Sequence, residues 1–401
     1  MVEENPASLR QWREDTPGIE KQIHLNNAGS ALPPRQVLKA AVDYLVEEAE
    51  RGGYETAAAR QSGINGMYEA LGRMLNTDPG QIAWMSSATD GYNRALTSIR
   101  WKAGDVILTT INDYVSNQIA FMQLRERFRV QVIRAEDDPK GGVSVDSMAE
   151  LIRKHGPKLV AVTHIPTNSG LIQPVEAIGE LCANQEVLYL VDACQSAGQL
   201  PIDIRKIRCD FLSATFRKFM RGPRGGGFLY VSPKVLESGM APLVLDLHSA
   251  VWTEPDGYRM QDDAKRFELW EKPYALMVSA KAAVEYALEI GLPTIEKRVK
   301  GLAEYARTKL AEIPGLQSLD KGAELGGIVT FTFPGKHFGE LKNHLAGKGI
   351  NLSFAPKFVA VIDLENKGAE WVGRLSPHYY NTREEVDAAV EAIRAWAIHS
   401  R

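Results

Sequence analysis

The residues best equipped for chemistry lie between Val191 and Tyr230. Asp192 closes the apolar run Val187-Leu188-Tyr189-Leu190-Val191, which reads as a buried parallel strand, and open α/β sheets bind ligands at the C-terminal ends of such strands. A second short run, Phe211-Leu212-Ser213-Ala214, leads into Thr215-Phe216-Arg217-Lys218 and then the glycine-rich Arg221-Gly222-Pro223-Arg224-Gly225-Gly226-Gly227. Two strand ends thus offer one acid and one amine. Pyridoxal phosphate (PLP) chemistry needs this pair: the lysine attaches the cofactor, while the carboxylate keeps the pyridine nitrogen protonated so that the ring accepts electrons. An ordinary buried Asp and a surface Lys would fit the same spacing.

The joint pattern is more specific. Val191-Asp192-Ala193-Cys194-Gln195, then Ser213-Ala214-Thr215-Phe216-Arg217-Lys218 and Gly222-Pro223-Arg224-Gly225, resembles the signature of class V aminotransferases, the family that includes cysteine desulfurases. The resemblance implies PLP as cofactor, Lys218 as the Schiff-base lysine, Asp192 as partner of the pyridinium and Gln195 as donor to the phenolic oxygen. Cys194 falls among the cofactor contacts, and Thr215 and Arg217 would hold the phosphate. Relatives often carry His where Arg217 stands, a change that keeps a donor there.

The elements that must position these groups follow in order. His24-Leu25-Asn26-Asn27-Ala28-Gly29-Ser30 before Pro33-Pro34 reads as a turn into a helix near 37–50. The family likeness makes Asn27 and Ala28 candidates for the substrate carboxylate. Arg51-Gly52-Gly53-Tyr54-Glu55 interrupts helical periodicity and predicts a loop. Its Gly-Gly-Tyr resembles the hercynylcysteine sulfoxide lyases of ergothioneine synthesis and their relatives, which would put Tyr54 near the substrate. After a helix near 61–75 and the strand Ile82-Ala83-Trp84-Met85, Ser86-Ser87-Ala88-Thr89-Asp90-Gly91 opens another helix. Backbone N–H groups and hydroxyls at such a turn bind phosphate, and the family's phosphate loop looks like this one, which assigns Ala88 and Thr89 to the phosphate. An N-cap would use the same residues. Strand Val106-Ile107-Leu108-Thr109 leads to Tyr114, which the resemblance stacks on the pyridine ring. Strand Leu159-Val160-Ala161-Val162-Thr163 ends in His164-Ile165-Pro166-Thr167-Asn168-Ser169-Gly170, where Thr167 falls at a cofactor contact and His164 reads as a structural histidine.

From Asp246 to Trp270 the polar and aromatic composition predicts a long functional loop, in which Glu271 follows where relatives have a Thr that reaches the partner's phosphate. Past Pro273 come amphipathic helices near 275–290 and 294–312, a strand over 327–333, a helix over 339–348 and a C-terminal helix capped by Asn381 or Thr382. Arg374, in Trp371-Val372-Gly373-Arg374-Leu375-Ser376, resembles the family's clamp for the substrate α-carboxylate, a task that suits a planar guanidinium. The expected fold is α/β: PLP-dependent transferase fold type I, with a mostly parallel central sheet. The expected division is an N-terminal arm over 1–23, a large PLP-binding domain over 24–262 and a small α+β domain over 263–401.

With 401 residues, 44% hydrophobic content and a net charge of −3, the chain is long enough for two cores and carries no electrostatic footprint for nucleic acid or an anionic membrane. The three cysteines (Cys182, Cys194, Cys209) show neither metal spacing nor a disulfide framework, and no metal site is expected. That usage and the polar N-terminus lead to the expectation of a cytoplasmic protein. Because no cysteine follows Cys209, desulfurase action through a loop thiol before Arg374 is expected to be absent. The expected reaction is then C–S β-elimination giving pyruvate and ammonia, in the manner of the ergothioneine lyase branch; amino-acid epimerase or aminotransferase action of isopenicillin N epimerase-like relatives is the alternative. Catalysis would rest on Lys218, Asp192 and Tyr114. A homodimer is expected, both from the family and because Trp252, Tyr258 and Trp270 need cover from water.

Overall fold

The computed structural model describes residues 6–399, so the first five residues of the expected N-terminal arm lie outside it. Seven strands make the central sheet: β1 (Ile82–Met85), β2 (Val106–Thr109), β3 (Gln131–Arg134), β4 (Leu159–Thr163), β5 (Leu188–Asp192), β6 (Phe211–Thr215) and β7 (Gly227–Val231). Their spatial order is β1-β7-β6-β5-β4-β2-β3. From β3 to β6 neighbours run parallel, whereas β7 is antiparallel to both β1 and β6. Every residue of β4, β5 and β6 is buried, as expected of continuous apolar strands covered by helices on both faces. On one face Tyr44, Met67, Leu71, Met277 and Val284 share a buried cluster with Val160 and Val162; on the other Tyr92, Leu96, Phe121 and Leu124 share one with Ile107, Leu159 and Phe211.

The stretch expected as a loop near 246–270 instead contains a hairpin, β8 (Ala250–Glu254) and β9 (Gly257–Met260). Alternation over so few residues was masked by the polar and aromatic composition. Likewise Gly53-Tyr54-Glu55 opens a helix (Gly53–Ala59), and the break in periodicity reduces to Gly52, whose φ of 98° only glycine adopts readily. The C-terminal part carries β10 (Gln317–Ser318), β11 (Val329–Thr332), β12 (Ser353–Pro356) and β13 (Trp371–Leu375), an antiparallel sheet in the order β10-β11-β13-β12. Its core joins Phe331, Phe333 and Trp371 to Leu310, Leu341 and Trp396 from three covering helices. Residues Ile23–His24 pair in parallel with Ile350–Asn351 in a separate two-stranded sheet, so the segment leading to Asn27 is stitched to the C-terminal part of the chain.

Arg221 ties the parts together. It is 2% exposed, with Nε donating to the Leu32 carbonyl at 2.8 Å, Nη2 to Thr16 Oγ1 at 2.6 Å and Nη1 to the Tyr379 hydroxyl, while its guanidinium lies over the Tyr380 ring. No helix is long and apolar enough to cross a membrane among the described residues.

Candidate active site

Strand ends β2, β4, β5 and β6 and the start of the helix Ala88–Ser98 converge on one pocket, lined by Ala88, Thr89, Tyr114, Thr167, Asp192, Cys194, Gln195, Thr215, Arg217 and Lys218, with Ser87, Thr163 and Ile165. Every residue expected from sequence to touch the cofactor is therefore at one place. Gly227 of β7 lets the helix start sit close to the sheet, since a Cβ there would lie 2.7 Å from the Ala88 nitrogen. Ser87 caps that helix through the Asp90 N–H at 3.1 Å, which fixes the N-terminal turn that faces the pocket.

Asp192 is 4% exposed and held on both oxygens, by the Cys194 N–H at 2.9 Å and by Asn117 Nδ2 at 3.1 Å. Asn117 is in turn oriented by Asp113, at 3.0 Å, and Asp113 also accepts from Thr109, Thr163 and the Tyr114 N–H. Burial pushes the Asp113 carboxyl above the usual carboxylate range. Neither Asp113 nor Asn117 was singled out in the sequence; the only signal is a polar triplet spaced by four residues, Thr109, Asp113 and Asn117, beyond a buried strand.

Lys218 is 6% exposed, its Nζ 5.9 Å from the centre of the Tyr114 ring, and burial pushes its amine below the ordinary range. No ion pair links it to a carboxylate among the described residues, so the amine is held ready and not locked. Gln195 donates to Thr167 Oγ1 at 3.2 Å and the Ala28 carbonyl at 3.1 Å, yet its Oε1 is buried without a partner. Arg374, on β13, donates through Nη1 to the Thr167 carbonyl at 3.0 Å and reaches Asn26 Oδ1 at 3.5 Å, while its Nε is buried without a partner. Burial, then the charge of Arg217, lower its pKa to about 10, and no carboxylate faces it among the described residues. A buried, unpaired guanidinium is costly and implies an anion that arrives with the ligand.

The remaining sequence candidates fall elsewhere. Asn27 is fully buried with its amide committed to Ser376, Asn381 and the Tyr380 hydroxyl, so it fastens the segment and has no donor left for a substrate. Its neighbour Asn26 is the one that reaches Arg374. Ala28 meets Ser376 Oγ through its N–H and Gln195 through its carbonyl. Tyr54 is 79% exposed and lines no part of the pocket, because its residue sits on an outward helix face and not on a loop. Glu271 is exposed and also outside the pocket. His164 is buried and its pKa is lowered to about 4 by burial and then Lys300, which fits a neutral structural histidine. No group of His, Cys, Asp and Glu that could hold a metal occurs among the described residues.

The acid, the buried amine and the helix start that faces the pocket fit PLP. The model for the family "Aminotransferase class-V" matches residues 23–389, and the chain belongs to that family. Its cofactor is PLP, and its fold is the PLP-dependent type I α/β fold. Among curated relatives, a probable cysteine desulfurase of Methanothermobacter thermautotrophicus is 27% identical over 388 residues, spanning 95% of this chain and 96% of its own. A cysteine desulfurase structure from Thermococcus onnurineus superposes with a TM-score of 0.89 at 23% identity, covering 100% of both chains. A cystine C–S lyase, solved with its product cysteine persulfide, gives 0.84 at 22% identity over 94% of this chain and 99% of that one. At such identities the structures speak for the fold alone.

These relatives correct two expectations. The likeness to ergothioneine lyases and epimerases is not the one the comparisons return; the relatives are named cysteine desulfurases. The expectation that the missing thiol removes the chain from desulfurases, leaving elimination to pyruvate, epimerisation or transamination, is overturned by the same finding. A missing loop thiol bears on where sulfur goes, not on which amino acid the pocket holds.

Proposed function

We propose that the chain is a PLP-dependent enzyme that removes sulfur from cysteine. The observation that carries the amino-acid part is Arg374, a buried guanidinium with an unpartnered Nε and no carboxylate beside it, at the edge of a pocket holding Lys218. The names of the curated relatives support cysteine as the amino acid. Arg374 would take the α-carboxylate in its fork, leaning on Thr167 and Asn26 for its orientation. Lys218 would hold the cofactor through Nζ and, once displaced by the substrate amine, move the α-proton; its depressed pKa favours the neutral amine that this requires. The cofactor, when bound, supplies the electron sink. Asp192, fixed by Asn117 and the Cys194 N–H, would keep the ring nitrogen protonated, with Tyr114 stacked on the ring and Ala88, Thr89, Thr215 and Arg217 on the phosphate.

The test is to supply PLP-loaded protein with cysteine and a reducing thiol and to measure alanine, sulfide and pyruvate. Alanine with sulfide supports the reading; pyruvate with ammonia in place of alanine refutes it. A homodimer is part of the proposal, supported by the exposed Leu243, Val244, Leu247, Trp252 and Tyr258, which line one surface groove.

A further inference from the structure

Taking sulfur from cysteine and leaving alanine requires a nucleophile for the sulfur, and the thiols of this chain are badly suited to it. Cys182 and Cys209 are 1% and 3% exposed and line neither the pocket nor its mouth. Burial pushes Cys182 up to about 12, and burial and then Asp210 push Cys209 higher still. Cys194 does line the pocket, but burial and then the Asp192 carboxylate raise its thiol far above the ordinary range. The thiolate is the nucleophile, so all three are poor acceptors at neutral pH. No cysteine occurs after Cys209.

A small cavity adjoins the pocket. Tyr114 and Thr167 line both the cofactor pocket and a narrow cavity whose other wall is Val359, Ala360 and Asp363. Val359 is half-buried in the turn Lys357–Val359, beside Phe358, which is exposed. Arg217, which lines the cofactor pocket, and Arg374, bonded to the Thr167 carbonyl, lie at the inner end, where their charge draws anions.

We propose that the sulfur acceptor is a small-molecule thiolate that enters beside Val359, an inference that rests on the cysteine reading above. The thiolate attacks the sulfur of cysteine, an S–S bond forms and the Cβ–S bond breaks. The electron pair of that bond passes to Cβ, which takes up a proton. In sum, cysteine and a thiol give alanine and a persulfide of that thiol, with no oxidant or reductant needed.

The experiment uses holoprotein with one equivalent of cysteine and dithiothreitol as the probe. Without dithiothreitol no alanine should form and the intact protein mass should stay unchanged; with it, alanine should appear at a rate that doubles when a low dithiothreitol concentration is doubled. Val359→Trp should raise the dithiothreitol needed for half-maximal rate several-fold, while the cysteine concentration that shifts the cofactor absorbance stays the same. One alanine per chain without dithiothreitol, together with one extra sulfur on a peptide carrying Cys182, Cys194 or Cys209, would overturn the external acceptor but leave the desulfurase reading standing. An unchanged dithiothreitol dependence in Val359→Trp overturns the route of entry. No alanine at any dithiothreitol concentration overturns both this inference and the desulfurase reading.

Discussion

Replacing Arg374 by Gln should move activity and stability in opposite directions. A carboxylate gripped by both arms of a guanidinium makes two charge-assisted hydrogen bonds worth about 1.5–3 kcal/mol each, so kcat/KM for cysteine should drop by roughly 10²- to 10⁴-fold. In the free protein the same group is a liability: it is 7% exposed, faces no carboxylate among the described residues, and burial and then Arg217 lower its pKa to about 10. A base whose folded pKa is depressed opposes folding at neutral pH, by about 1.4 kcal/mol per unit. Gln retains an N–H for the Thr167 carbonyl, to which Arg374 now donates. The melting temperature of the variant should therefore stay level or rise. Steady-state kinetics with cysteine, a PLP titration and thermal unfolding make the assay. A kcat/KM within about threefold of the parent, where the lost bonds are worth several kcal/mol, or a melting temperature several degrees lower, would show that Arg374 is a structural residue.

Four further outcomes follow from the same geometry. Lys218→Ala should stay folded and lose the visible absorbance of the lysine-bound cofactor, since its amine is buried and unpaired; survival of that band refutes the assignment. Asp192→Asn should still bind PLP but lose most turnover, because an amide cannot hold the ring proton; turnover near the parent's contradicts the role. Glu268, fully buried, accepts from Tyr68 and the Trp84 N–H and pairs with Lys272 and His248; burial pushes its carboxyl up, but the bonds from His248 and Lys272 outweigh this and hold it below the ordinary 4.5. A depressed carboxylate stabilises above its unfolded pKa and ceases to as pH falls through the folded value, so unfolding curves below about pH 4.5 should show a loss of stability that is smaller in Glu268→Gln; equal acid limbs in both proteins would sink this account. Sedimentation at micromolar concentration should give a dimer, and a fully active monomer would end that part of the proposal.

What the sequence made legible was the part fixed by local rules. The strands at 82–85, 106–109 and 159–163 stand where their apolar runs place them, because strands buried on both faces need no alternation to be seen. The residues at their ends followed, from Tyr114 and Thr167 to Lys218. Groups that matter only through a neighbour stayed hidden: Asp113 acts on Asp192 by way of Asn117, and Asn26 matters because the chain returns at Ser376 and Arg374 from far along the sequence. Short hairpins such as β8 and β9 were lost among the aromatic residues they expose. The reaction was not legible, because no residue of the site ranks desulfuration against elimination, and it is the names of nearly full-length relatives that point to cysteine.

Arg221 sits three residues beyond Lys218 and holds the N-terminal arm and the C-terminal segment around the loop that carries the lysine. Its partners are a carbonyl, a threonine hydroxyl and phenols, and burial keeps the Tyr379 phenol protonated well past neutrality. None of them is a carboxylate, so the joint has no acid to neutralise at low pH, and its water-free setting gives dissolved ions little to screen. The loop that carries Lys218 is thereby fastened to the two ends of the chain by a joint that neither acid nor salt readily loosens, and its geometry should outlast the surface charges around it.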